Sequence, residues 1–234
     1  MSEKTYVSGE YLENNPNWHV EDSPWKAKQI LKLMKRSNLV PITICEVGCG
    51  AGEILAQLQN EISGECEFIG YEISPQAFEL SQNRANNRLN FKLMDILQEK
   101  EVSYDLILLI DLIEHLEDYY TFLRKIKPKS QYKILHIPLD LSAQLVIRNT
   151  PLVESRKSVG HLHYFTKDMA LQILGDLDYE VLDYFYTYTA DATRLPATSI
   201  KTLIARPLRK LFFMIHKDLT VRILGGYFLM VLAR

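Results

Sequence analysis

Cysteine is scarce in this 234-residue chain, and the three present, Cys45, Cys49 and Cys66, form no C-x-x-C pair. That excludes the common zinc and dithiol patterns, and an odd count speaks against a disulfide framework. The simple reading is three small buried apolar side chains in a reducing, cytoplasmic setting. Long apolar runs are missing as well. The longest, residues 106–110 and 227–233, are far too short to span a bilayer. The first twenty residues hold no apolar stretch, so no signal peptide is expected. There is no basic excess either. The formal net charge is -2, so the molecule as a whole does not attract nucleic acid, and none is expected as a partner. Glycine is sparse, ten residues in all, yet Gly48, Gly50 and Gly52 fall within five positions.

Apolar residues make up 47% of the chain, enough for a sizeable core at this length. Residues 1–23 are polar and irregular in pattern. Ser23-Pro24 then reads as a helix start, with Ala27, Ile30, Leu33 and Met34 at helical spacing as far as about Arg36. Strand patterns follow at 42–47, 66–72, 89–94, 104–110, 131–137, 179–189 and 227–233. Helical patterns lie between them, from Glu53 onward and at 75–84, 116–126, 166–174 and 200–223. The run 104–110, YDLILLI, is almost wholly apolar, as suits a strand covered by helices on both faces. Such alternation predicts an α/β fold with a mostly parallel, doubly wound sheet, and ligands in such sheets sit at the carboxyl ends of the strands.

The glycine cluster stands at one such end, in CEVGCGAGE, residues 45–53. A strand-to-helix turn lets backbone approach a ligand where side chains are absent, and it leaves helix N–H groups free to meet one. The spacing is G-x-G-x-G, not the G-x-G-x-x-G of nicotinamide and flavin sites, and no Lys-Ser/Thr follows as in a P-loop. Glu46, two residues before Gly48, would repel a pyrophosphate. Glu72 ends the next strand, twenty residues past Gly52, where a carboxylate accepts hydrogen bonds from a ribose diol. The pattern points to a cofactor with an adenosine-like ribose.

EVGCGAG resembles motif I of the class I S-adenosylmethionine-dependent methyltransferases. GYEIS at 70–74, MDI at 94–96 and DLIEHL at 111–116 are similar to the family's next three motifs, in order and at successive predicted strand ends. The resemblance covers about residues 40–140. It implies a Rossmann-like seven-stranded sheet of order 3-2-1-4-5-7-6 with strand 7 antiparallel. An N-terminal helical segment precedes it, and a helical insertion separates strands 6 and 7. One domain is expected, with 1–40 as lid and helix, 41–190 as cofactor-binding core and 191–234 as basic helix and last strand. The implied cofactor is S-adenosyl-L-methionine, with S-adenosyl-L-homocysteine as product. By the same resemblance, Gly48, Cys49, Gly50 and Gly52 lie against its methionine part and Glu46 near its amino group. Glu72 would hold the ribose, Ile73 cover the adenine, Asp95 and the Ile96 backbone read the adenine edge, and Asp111 begin the methyl-transfer face.

Methyl transfer is an in-line displacement that rests mostly on positioning, with a general base for acceptors of high pKa. His115 is the first candidate base, though it can equally orient its loop. His161 and His163, in GHLHYF at 160–165, are the others. Asp111, Glu114, His115 and a downstream histidine have the makings of a metal set, but Asp111 is shorter than the glutamate of metal-binding relatives, so no metal is expected. Trp18, His19, Trp25 and Lys26 precede the core, and Tyr11 or Trp25 suits an acceptor pocket. Residues 201–222 carry Lys201, Arg206, Arg209, Lys210, Lys217 and Arg222 against Asp218, with Leu208, Leu211, Phe212 and Ile215 at i, i+3, i+4 and i+7. The stripe either packs on its own domain or meets a membrane surface or lipid-like acceptor. The expected enzyme transfers methyl to an oxygen or nitrogen of a small-molecule or lipid-like acceptor, as a monomer or homodimer. An RNA or protein methyltransferase and a silent cofactor-binding module are the alternatives.

Overall fold

The computed structural model describes residues 18, 20–188 and 200–234. Tyr11 and His19 lie outside them, as do residues 189–199. Seven strands form one sheet in the order β3-β2-β1-β4-β5-β7-β6. They are β1 Thr43–Val47, β2 Glu67–Glu72, β3 Leu89–Leu93, β4 Tyr104–Ile110, β5 Ser130–Pro138, β6 Val181–Tyr188 and β7 Tyr227–Ala233. Neighbours from β3 to β5 run parallel, and β7 runs antiparallel to both β5 and β6. The helices are α1 Ser23–Arg36, α2 Glu53–Glu61, α3 Pro75–Gln82, α4 Tyr119–Ile126, α5 Ala143–Arg148, α6 Thr150–Ser158, α7 Lys167–Asp176, α8 Ile200–Ile215 and α9 Lys217–Leu224.

The pleat sorts each strand's side chains between two apolar layers. Ile107 and Leu109 of β4 point to one layer, with Leu123 and Ile126 of α4 and Ile173 and Leu174 of α7. Leu106, Leu108 and Ile110 point to the other, with Ile30 and Leu33 of α1 and Leu55 and Leu58 of α2. Both faces are covered, which is why YDLILLI shows no alternation. Ile30 and Leu33 are fully buried, each worth about 1.5–3 kcal/mol by area.

Three local expectations change. The helix predicted over 116–126 begins only at Tyr119, because a 3-10 turn, Ile113–His115, comes first and Asp118 caps the helix by accepting from Thr121 N–H at 2.9 Å. The stretch 200–223 is two helices, broken at His216, whose φ of -152° is extended and whose ring accepts from Leu219 N–H at 3.2 Å. α5 and α6 carry weak or short patterns and were not anticipated.

Of the two readings left open for the apolar stripe of α8, packing on its own domain is the one that fails. Leu208, Leu211, Phe212 and Ile215 are exposed, so they do not pack on the domain. α8 faces the sheet through Phe213, stacked on Tyr227 at 5.1 Å, and Arg209, which donates to Leu224 O at 3.0 Å and sits over the rings of Tyr188 and Tyr227. The sheet edge there offers aromatic rings and the carbonyls at the end of α9. A cation and an aromatic satisfy those; an aliphatic stripe does not.

Candidate functional site

The carboxyl ends of β1 to β4 converge on a cavity of about 760 Å³. β1 leads into the glycine turn, where Gly48, Gly50 and Gly52 have φ of 69°, 55° and 79°. All three need the left-handed region that glycine enters freely. Gly48 and Gly50 line the cavity with Cys49. Gly52 does not. A Cβ there would stand 2.4 Å from the Phe91 ring, so this glycine is required by packing under the turn.

The turn is tied down by β2. Gly48 and Cys49 donate their N–H groups to Tyr71 O at 2.8 and 3.1 Å. Gly50 N–H donates to Glu72 Oε2 at 2.8 Å, while Glu72 Oε1 accepts from Ile73 and Ser74 N–H at 2.8 and 2.9 Å. Burial pushes the Glu72 carboxyl up, and the three N–H groups offset part of that. Oε1 is filled by its two donors, while Oε2 keeps capacity for one more, and the residue lines the cavity. Glu46 lines the same wall, 2% exposed, and its Oε2 meets no donor among the described residues. Burial pushes its pKa well up, opposed by the nearby Lys26 charge.

Across the cavity, Asp95 accepts from Leu97 N–H at 2.8 Å and so starts the 3-10 turn Ile96–Gln98. Asp95, Ile96 and Ile73 all line the cavity, with Met94 and Leu97 beside them. Asp111, directly after β4, has a φ of 49°. Its carboxylate bridges two bases: Oδ1 to His136 Nδ1 at 2.6 Å and Oδ2 to Lys26 Nζ at 2.9 Å. Lys26 also meets Asp22 at 3.3 Å. Burial opposes ionisation of Asp111, but His136 and Lys26 outweigh it and hold the carboxyl well below its ordinary range. His136 is buried, meets Thr187 Oγ1 at 2.8 Å through Nε2, and stacks on Phe228 at 4.7 Å. Sequence reasoning missed His136 and Thr187. The available signal was one imidazole within the apolar β5 run.

The three candidate histidines separate. His115 and His161 line the cavity, their rings 5.0 Å apart edge to face. His115 Nδ1 lies 3.2 Å from Gly160 O, and burial, with the His161 charge, pushes its pKa down to about 4. His161 Nδ1 lies 2.9 Å from Asp140 Oδ2. His163 does not line the cavity. Its Nε2 lies 2.9 Å from Leu116 O and its ring packs edge-on to Tyr119, so it braces the loop before α4. Glu114 is fully buried beside them, and neither carboxylate oxygen has a hydrogen-bond partner among the described residues. Glu114, His115 and His161 place one potential ligand atom each within 4.8 Å of one another, a set that can hold a divalent cation. Trp18 and Lys26 line the cavity, whereas Trp25 packs edge-on to His136.

A family model described as "Methyltransferase domain" matches residues 45–129, which span the glycine turn, Glu72, Asp95 and Glu114. The match covers a little over a third of the chain, so it is this segment that is similar to a methyltransferase domain. Pavine N-methyltransferase of Thalictrum flavum subsp. glaucum is 26% identical over 55% of this chain, which spans 42% of that protein's length. Among solved structures, magnesium protoporphyrin IX methyltransferase (ChlM) from Synechocystis PCC 6803, with bound SAH, superposes with a TM-score of 0.61. It is 15% identical and the match covers 91% of this chain and 84% of that one. The plantazolicin methyltransferase BpumL, in complex with a desmethyl analogue and SAH, superposes with a TM-score of 0.55 at 18% identity, over 99% and 90% of the two chains. At these identities the structures share the methyltransferase fold with this chain and differ in the acceptors that their names state.

Proposed function

We propose that this protein binds S-adenosylmethionine in the cavity at the ends of β1 to β4 and passes its methyl group to an oxygen or nitrogen of a small or lipid-like acceptor. The observation that carries the reading is Glu46. A buried carboxylate with an unpartnered oxygen on a cavity wall is costly to leave empty-handed, and a ligand ammonium would satisfy it. The rest of the cavity fits the same molecule. Glu72 Oε2 offers acceptor capacity for a ribose hydroxyl, Ile73 and Leu97 offer apolar cover for a base, and Asp95 offers an acceptor for an exocyclic amine. When bound, the cofactor supplies an electrophilic methyl on a cationic sulfur.

The protein's own work is then positioning. Asp111, held by Lys26 and His136, keeps the floor of the transfer face rigid. His115 is neutral near pH 7 and can take a proton through Nε2 while Nδ1–H donates to Gly160 O. His161, oriented by Asp140, stands beside it as a second acceptor-facing group. His163 acts indirectly, by holding the Leu116 loop. A second reading rests on Glu114. With His115 and His161 it can hold a divalent cation that orients an acceptor oxygen.

Calorimetric titration with S-adenosylmethionine and S-adenosylhomocysteine tests the cofactor reading. Wild type is expected to bind both near micromolar, and Glu46→Gln to weaken binding by about 1–3 kcal/mol. No binding by folded wild type refutes it. Titration with Mn2+ in the same instrument tests the second reading, which fails if Glu114→Gln leaves any metal affinity unchanged.

A further inference from the structure

We propose that the face built by α5, α8 and α9 docks on an anionic lipid surface. Its position comes from the topology. β7 follows α9 directly, and because β7 is antiparallel, its first residues pair at the carboxyl end of β5, Phe228 opposite Pro138. α5 starts just past that same end and packs on α9, with Ser142 lying where a Cβ of Gly225 would be. Phe228 itself lines the cavity. The three helices therefore stand at the ligand end of the sheet.

Their outward surface has the wrong composition for water. Leu208, Leu211, Phe212, Met214, Ile215 and Leu219 are all exposed, Met214 and Ile215 each at 72%. On α5, Ile147 is 83% exposed. None of this serves attachment to the domain, which Arg209 and Phe213 provide from the opposite side of α8. The flanking charge is mainly basic. Residues 143–148 and 207–224 hold five basic side chains against one acidic, in a chain whose net charge is -2. Arg148, Lys210, Lys217 and Arg222 are the exposed basic ones, Arg222 being paired with Asp168. An exposed apolar stripe with basic flanks is the pattern of a helix lying in a headgroup layer. A second copy of the chain fits less well, because a two-fold contact would bring this positive face against itself. Nucleic acid would meet the charges but leave the aliphatic side chains unused. Among the described residues no helix is long and apolar enough to cross a membrane, so the contact is peripheral. Docked in this way, the cavity end of the sheet faces the bilayer, where an amphiphilic acceptor would be presented.

Sedimentation with sucrose-loaded vesicles tests the proposal on the full chain. Vesicles of phosphatidylcholine alone and with a quarter phosphatidylglycerol are compared at low and high salt. The anionic vesicles are expected to bind about tenfold or more tightly, less so in high salt. The pair Met214→Asp with Ile215→Asp should cut that binding about tenfold or more, and Lys210→Gln with Lys217→Gln should remove most of its salt dependence. S-adenosylhomocysteine binding by calorimetry should stay at the wild-type value in both variants, which shows that they fold. Absence of wild-type binding to the anionic vesicles overturns the proposal, as does binding that ignores the aspartates. A dimer by light scattering that the aspartates split, without vesicle binding, assigns the face to a second copy instead. Vesicle binding by a protein that fails to bind the cofactor would sink the methyl-transfer reading and leave this one standing.

Discussion

Replacing Glu72 by glutamine should loosen the glycine turn before any ligand is added. The wild-type carboxylate accepts three backbone N–H groups, from Gly50, Ile73 and Ser74. A glutamine carbonyl can keep the pair from Ile73 and Ser74, but as neutral bonds of about half the strength. Its NH2 group then faces Gly50 N–H, donor against donor. Leaving that buried N–H unsatisfied costs about 1–3 kcal/mol. The neutral side chain escapes the burial penalty that pushes the Glu72 carboxyl up, which returns part of the loss. The net expectation is a destabilisation of about 2 kcal/mol, or a Tm lower by about 4–8 °C for a chain of this size. Thermal melting of the ligand-free protein, followed by circular dichroism, measures it. Cofactor titration of the same variant should also show weakened binding, because turn and ribose contact share one carboxylate. An unchanged ligand-free Tm would refute the idea that Glu72 holds the turn, even if cofactor binding were lost.

Gly52→Ala should cost about 2–4 kcal/mol in urea unfolding, from the left-handed φ of 79° together with a Cβ 2.4 Å from Phe91. Phe91→Leu in the same chain should recover part of it; no recovery would mean that the ring is not the obstacle. Asp111→Asn should cost about 3 kcal/mol, since it removes the carboxylate that bridges Lys26 and His136 and leaves Lys26 with Asp22 alone. Asp111 is held below its unfolded value, so its contribution is complete above the ordinary carboxylate range and is lost as pH falls through and below it. The variant's acid unfolding curve should therefore be flatter than wild type's. Glu114 is shifted the other way, upward by burial, so ligand-free stability should decline as pH rises past about 4.5, the usual carboxylate value. Glu114→Gln should remove that decline and be neutral or stabilising at pH 8 without added metal; a loss of stability there would show that the carboxylate has a partner.

Much of the fold was readable because its signals are local. Periodicity placed β4 and β7 to the residue, and Ser23-Pro24 announced α1. The sheet order came from the resemblance of four short motifs, each at a strand end. Those motifs also located the cavity, since Glu46, Gly48, Gly50, Glu72, Asp95 and Asp111 all line it. What they could not reveal depends on residues distant in the chain. Gly52 looked like a ligand-facing glycine, and only the packing of β3 against the turn shows that Phe91 needs its space. His161 and His163 looked alike, yet one meets Asp140 at the cavity and the other braces Leu116 behind it. Nothing local in β5 ties His136 to Asp111 and Thr187, which the sheet brings from 25 and 51 residues away.

By itself the sequence determined the strand-and-helix alternation, the glycine turn and the acidic residues at the strand ends, because each follows from backbone sterics and period over a few residues. The tertiary structure alone decided which side of α8 meets the domain. A helical stripe records only that some face is apolar. Which face is buried depends on what waits opposite, and here the edge of the sheet presents rings and carbonyls that select Phe213 and Arg209 and turn the aliphatic stripe outward.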